Sequence, residues 1–285
     1  MSASSSRTPL IAVAAAAFLV ALKGAGAWST GSLALGSAAL DSLIDVFISG
    51  ANFLVLRKSA LPPDRNHAYG HGKLENLAAL GQGLFLLAAA AVLVASGVRQ
   101  LIEGGAPEET GWGIAVLAVS LAVSFAVARV LERAARRSGS PALKADSLHY
   151  ATDLWVNGAA LVALLIVRFT GWAAADALVA LVVAGYVFKS GASLALDAAF
   201  DLSDRGLPEE ELRRIETVVA SFVPEVLGMH DLKTRRSGGQ RFIELHLEIP
   251  RATSFVAAHD LTVKVLRAVE RELPRSKVFI HSDPA

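Results

Sequence analysis

The sequence predicts an α-helical membrane protein: six transmembrane helices followed by a small C-terminal α+β domain. Three observations lead there. The 285-residue chain is 53% hydrophobic with a mean hydropathy of +0.48, too apolar for an ordinary soluble protein of this length. Six apolar stretches fall at roughly 9–28, 32–56, 74–102, 112–131, 143–169 and 175–202, and each meets the length of about 20 residues that a helix needs to cross a bilayer. From about residue 205 the sequence turns charged and periodic, "DRGLPEEELRRIETVVASF", as a water-exposed domain does. Two domains are expected, 1–205 and 206–285.

The first stretch has a rival reading. "MSASSSR", then "PLIAVAAAAFLVAL", then "GAGA" has the layout of a cleaved signal peptide. Lys23 stands ahead of the small residues and a second apolar stretch follows at once, which favours a retained span and an even number of crossings. The link between stretches two and three carries Arg57, Lys58, Arg65 and Lys73, and that between four and five carries Arg129, Arg133, Arg136, Arg137 and Lys144. The opposite links hold Lys23, Arg99 and Arg168 beside Glu103, Glu108 and Glu109. The positive-inside rule then puts both termini, and the tail domain, in the cytoplasm.

In the tail, Pro208 and the three glutamates after it suit the first turn of a helix. "GMHDLKTRRS" and "RFIELHLEI" read as strands joined at "GGQ". Ile243, Leu245, Leu247 and Ile249 alternate with Phe242, Glu244, His246 and Glu248, the period of a half-buried strand. "TSFVAAHDLTVKVLRAVERELP" reads as an amphipathic helix with Thr253 as its cap, and "KVFIH" as a last strand. The order α-β-β-α-β fits a small open sheet covered by helices on one face.

Composition excludes some chemistry. A net charge of +1 gives no field directed at nucleic acid. Zero cysteines exclude disulfides and thiolate metal sites, which leaves imidazole and carboxylate ligands. Within that limit the second stretch is conspicuous: "AALDSLIDVF" places Asp41 and Asp45 one helical turn apart among apolar residues. An ionised Asp at bilayer depth costs about 2.5–3.5 kcal/mol on insertion scales, so a compensating partner is expected. The fifth stretch supplies one in "ADSLHYATDLWVNG", where His149 and Asp153 are again four apart and share a helix face. Three carboxylates and one imidazole make a four-ligand set suited to tetrahedral Zn²⁺. The plainer alternatives are interhelical hydrogen bonds or a polar pore lining. Asn52 and Asn157, further along the same helices, read as hydrogen-bonding residues between spans.

Two further groups hold the other histidines. In "PPDRNHAYGHGK", Asp64, His67 and His71 put three potential ligands within eight residues, flanked by Pro and Gly that bend the backbone. The tail holds His230, His246, His259, His281 and Asp283 on predicted strands and a helix. All seven histidines of the chain lie in these three groups.

The segments "LDSLID", "DRNHAYGHGKLENLAAL", "KADSLHYATD" and "HDLKTRRSG…RFIELHLE…IHSDP" resemble the cation diffusion facilitators, in particular the bacterial zinc/iron-type efflux members, over nearly the whole chain. The resemblance implies a homodimeric divalent-metal/proton antiporter of the bacterial inner membrane. It also implies a ferredoxin-like (metallochaperone-like) cytoplasmic domain after the six helices. Position by position, it assigns Asp41, Asp45, His149 and Asp153 to a transport site and Asp64, His67 and His71 to a loop site. His230, His246, His259, His281 and Asp283 are assigned to a binuclear tail site. There His230 and His259 would hold one ion, His246 and His281 the other, with Asp283 between them. It further implies charge contacts of Lys73 and Asp204 near the dimer's membrane–tail junction. In the family, His in place of Asp41 goes with stricter zinc selectivity, so Asp41 implies a range that includes Cd²⁺ and Fe²⁺ beside Zn²⁺.

The expected mechanism follows from ligand chemistry. His and Asp bind Zn²⁺ only when deprotonated, so metal and protons compete for the same atoms, and an alternating-access protein exchanges one for the other. No H-E-x-x-H is present and the membrane cluster leaves no spare acid, so an enzyme is not expected. The alternatives are a proton-uncoupled divalent metal channel and a membrane metal sensor.

Overall fold

The computed structural model describes residues 8–30, 33–103, 111–172 and 174–285. It divides into two compact units, Met1–Ala198 and Ala199–Ala285.

The first unit is built from long helices: α1 (Thr8–Thr30), α2 (Leu33–Ser59), α3 (Lys73–Glu103), α4 (Gly111–Ser138), α5 (Pro141–Thr170) and α6 (Ala174–Leu202), the last running on into the second unit. At 1.5 Å per residue the 31-residue α3 is about 46 Å long. Among the described residues α1, α2, α3, α5 and α6 are long and apolar enough to span a bilayer. The fourth expected span is a helix of 28 residues whose last third carries Arg129, Glu132, Arg133, Arg136 and Arg137. The helix outruns its apolar stretch because i,i+4 pairs such as Glu132–Arg136, at 2.7 Å, sustain it in polar surroundings. Large apolar side chains point outward along the bundle, among them Phe47, Val92, Phe125, Trp155 and Phe188, as a lipid-facing surface requires.

Local signals set the turns. Gly139 adopts φ 63° between α4 and α5. Ser140 then caps α5 by accepting from the Leu143 amide at 3.2 Å, with Pro141 in the first turn. Small residues let α3 and α6 approach closely: a Cβ on Gly83 would lie 2.7 Å from the Ala195 nitrogen, and one on Gly191 2.9 Å from the Leu86 Cβ.

In the second unit, α7 (Glu209–Ala220), β1 (Gly228–Ser237), β2 (Gln240–Ile249), α8 (Phe255–Glu272) and β3 (Ser276–Pro284) follow in order. The sheet order is β1-β2-β3, with β1 antiparallel and β3 parallel to β2. Ile243, Leu245, Leu247 and Ile249 turn inward against Ile215 and Val219 of α7 and Val265 and Val269 of α8, so the predicted alternation identifies the buried face. Pro208 precedes α7 without making a side-chain cap. Of the three glutamates that follow, Glu211 binds Arg236 and Arg241, each at 2.8 Å. The cap of α8 is Ser254 rather than the expected Thr253, its Oγ accepting from the Ala257 amide at 3.3 Å. Adjacent hydroxyls compete for that role, and the extended Ser254 backbone (ψ 151°) meets the capping geometry.

Candidate metal centres

Helices α2 and α5 present their polar turns to each other. His149 Nε2 lies 3.0 Å from Asp45 Oδ1 and 3.8 Å from Asp153 Oδ2. The three residues offer ligand atoms within 4.8 Å of one another. His149 is buried, with its ring edge-on to Phe85 of α3, centroids 6.0 Å apart. Asp41, one turn before Asp45, is exposed on the isolated chain and stands outside the gathered trio. Asn157 turns back along its own helix and donates to the Asp153 carbonyl at 2.8 Å, which keeps that bond within α5 where an interhelical one was expected. A serine- or asparagine-like side chain in an apolar helix satisfies itself most cheaply on a carbonyl one turn away. Asn52 is buried.

Sequence reasoning missed several polar residues on these helices and their neighbours. Asp146, one turn before Tyr150 on α5, is 1% exposed and accepts from Ser49 Oγ of α2 at 3.4 Å. Tyr150 donates to the Ala12 carbonyl of α1 at 2.9 Å, and its hydroxyl lies 3.4 Å from Ser49 Oγ. Glu75 of α3 accepts from Ser59 Oγ of α2 at 3.0 Å and also from Ser140 Oγ at the start of α5. Lys23 of α1 donates to Ser42 Oγ of α2 at 2.8 Å. An ionisable residue inside an apolar stretch was the available signal for Asp146 and Lys23.

In the loop between α2 and α3, Asp64 Oδ1 accepts from the amides of Asn66 at 2.9 Å and His67 at 2.7 Å. The His67 amide, with help from the Asn66 amide and the neighbouring imidazoles, holds the Asp64 carboxyl below the usual carboxylate range. His67 Nδ1 and His71 Nε2 each stand 3.3 Å from an Asp64 oxygen. The other His71 nitrogen, Nδ1, is buried with no hydrogen-bond partner.

The tail places its histidines by strand register. His230 faces His246 across β1 and β2, and His246 faces His281 across β2 and β3. Three imidazoles therefore stand in one row, ring centroids 5.2 and 4.8 Å apart. Asp283 reaches all three, at 3.2 Å to His230, 2.9 Å to His246 and 3.1 Å to His281. The hydrogen bond from His246, ahead of the other imidazoles, holds its carboxyl below the ordinary range. His230, His246 and Asp283 form one ligand-capable group. His259 lies on the exposed face of α8 and lines an open depression with Ser282 and Asp283. Ser282 itself turns to α8 and meets Thr262 Oγ1 at 2.8 Å. Asp204 is 3.4 Å from Arg235 within the second unit, and Lys73 begins α3.

Residues 10–203 match the family description "Cation efflux transmembrane domain", and residues 207–285 match "Cation efflux protein, cytoplasmic domain". The chain is 40% identical over 279 residues to the cation-efflux pump FieF of Escherichia fergusonii, covering 98% of this chain and 92% of that protein. The cation-efflux pump FieF of Escherichia coli K12 matches at the same identity and coverage. Among solved structures, the metal-bound C-terminal domain of the CzcD transporter from Thermotoga maritima is 32% identical, covering 27% of this chain and 94% of that chain at a TM-score of 0.26.

Proposed function

The chain belongs to the cation efflux family, and from that premise we propose that it exports a divalent cation, Zn²⁺ foremost, from the cytoplasm in exchange for protons. It is a membrane cation efflux transporter and not an enzyme. The observation that carries the finer reading is the Asp45–His149–Asp153 trio between two apolar helices. Ionisable residues at bilayer depth are costly and mark ion or proton pathways.

Asp41, one turn before Asp45 on α2, is the proposed fourth ligand, which would make three oxygens and one nitrogen. That set suits Zn²⁺ and admits Cd²⁺ and Fe²⁺. His149 Nε2, 3.0 Å from Asp45 Oδ1, is the atom that a cation would take over, and a proton carried in excess by the imidazole or a neighbouring carboxylate would leave as the ion loads. On the outward-facing side the exchange reverses, and the inward proton gradient drives export.

The residues of the other two groups fit a bound divalent ion. In the loop, Asp64, His67 and His71 converge and His71 leaves a buried nitrogen unused. In the tail, the imidazole row and Asp283 form a nitrogen/oxygen set of borderline softness. A bound ion there supplies positive charge that cross-links the strands and offsets their carboxylates. We assign the loop site to Asp64, His67 and His71, and the tail site to His230, His246, His281 and Asp283 with His259 at its margin. Residues 1–205 form the transport domain, with α4 as the sixth crossing, and 206–285 the cytoplasmic domain. An even number of crossings and the arginine-rich α4–α5 turn put both termini in the cytoplasm of a bacterial inner membrane. The protein works as a homodimer.

Ion competition tests the cargo. Proteoliposomes loaded with a zinc dye are offered Zn²⁺ against tenfold excess Cd²⁺, Fe²⁺ or Mn²⁺. Strong suppression by Cd²⁺ and weak suppression by Mn²⁺ is the expected result. Suppression by Mn²⁺ alone would contradict the zinc assignment.

A further inference from the structure

Lys23 has no place in the ligand set, yet it lies inside a span. It donates to Ser42 Oγ at 2.8 Å, and Ser42 is fully buried between the helices. Ser42 follows Asp41 in the chain and precedes Asp45 by less than one turn. The Lys23 ammonium is thus held at the turn of α2 that carries Asp41 and Asp45. It is therefore anchored beside the carboxylates that await the cargo, and its charge has the cargo's sign. Lys23 is also the only ionisable residue among the described residues of α1.

We propose that Lys23 is the built-in counter-cation of the transport site, a positioning and release residue that binds no metal itself. This inference rests on the transport-site reading above. A site of several carboxylates at bilayer depth holds a divalent ion too tightly to turn over. A fixed positive charge on the neighbouring helix lowers that affinity and remains to offset the carboxylates once the ion has gone. The hydrogen bond to Ser42 fixes the distance, so the repulsion acts in every cycle. Arginine keeps the charge; methionine keeps the length and removes it.

The test is initial-rate Zn²⁺ flux into proteoliposomes for the wild type, Lys23→Met, Lys23→Arg and Asp45→Ala. Flux reads the transport site and ignores ions held by the loop or tail. Removing one unit charge at this range is expected to lower the apparent KM about tenfold, with the maximal rate falling in parallel because release becomes slow. Lys23→Arg is expected to return the KM to within about twofold of the wild type. A residue that merely braces α1 against α2 would behave in the opposite way, with a KM raised by the loss of packing. A KM that is unchanged or raised in Lys23→Met, with Asp45→Ala inactive, overturns the proposal alone. Wild-type flux in Asp45→Ala overturns the transport-site reading and Lys23 with it. If Lys23→Met does not yield monodisperse protein, Lys23→Gln keeps a hydrogen-bonding group for Ser42 and is read by the same criteria.

Discussion

His149 Nε2 lies 3.0 Å from Asp45 Oδ1, and this contact ties α5 to α2 in the interior of the helical unit. The cargo ion is proposed to bind between these two atoms. Replacing either carboxylate of the trio with its amide keeps the shape and removes a ligand charge. Asp45→Asn and Asp153→Asn are each expected to lower Zn²⁺ flux by about 100-fold or more, the scale of losing a charged ligand in a low-dielectric site. Flux assays on purified protein check this.

The α3–α6 contact leaves no room for side chains. A Cβ on Gly191 would stand 2.9 Å from the Leu86 Cβ and 3.0 Å from the Gly83 carbonyl. Gly191→Val is expected to cost about 1–3 kcal/mol through overpacking, read as a lower midpoint of thermal unfolding in detergent. Gly185, with open space around its position, serves as the control, and Gly185→Ala is expected to leave the midpoint within a degree or two, a helical glycine being no better than alanine.

The tail row gives a metal-removal experiment. Zinc held by His230, His246, His281 and Asp283 stabilises the folded tail by mass action, about 2.7 kcal/mol at a hundredfold excess over the dissociation constant. Chelation of the intact protein is expected to lower the unfolding midpoint of the tail. His246→Ala, at the centre of the row, is expected to abolish most of that shift.

Glu211 sets an acid limit on the tail. The hydrogen bond from Arg241 comes first among the causes that hold its carboxyl below the ordinary value of 4.5, and Arg236 adds to it. A depressed carboxyl contributes stability that is present above the unfolded value and disappears as pH falls through the folded one. Midpoints of the tail are therefore expected to fall below about pH 4.5, and Glu211→Gln to flatten that decline. The contribution is at most about 1 kcal/mol, because the side chains are partly exposed and solvent screens the pair.

Much of this was legible in the sequence because two periods dominate it. The i,i+4 spacing of Asp41/Asp45 and of His149/Asp153 marks a helix face, and the alternation from Ile243 to Ile249 marks a strand face. Placement across elements was not legible. The imidazole row depends on the turn at Gly238, which takes φ 59°, and on the register shift between His230 and Lys233. A shift of one residue would have sent His230 to the other face. Asp146 obeys the same rule that singled out Asp45, yet it lies outside the matched pairs Asp41/Asp45 and His149/Asp153. Its burial against Ser49 emerges only when α2 and α5 are packed.

The central claim is exchange of a divalent cation for protons at the trio. Its most direct test is Zn²⁺ entry into proteoliposomes that hold both a zinc dye and a pH dye, with wild type beside Asp45→Ala and Asp153→Ala. Zinc and protons are expected to move in opposite directions, and both movements to vanish in either variant. Zinc entry without proton movement would make the protein a channel. Zinc entry unchanged by the substitutions would place the pathway elsewhere, and no entry, with ions bound only by the tail, would make it a sensor.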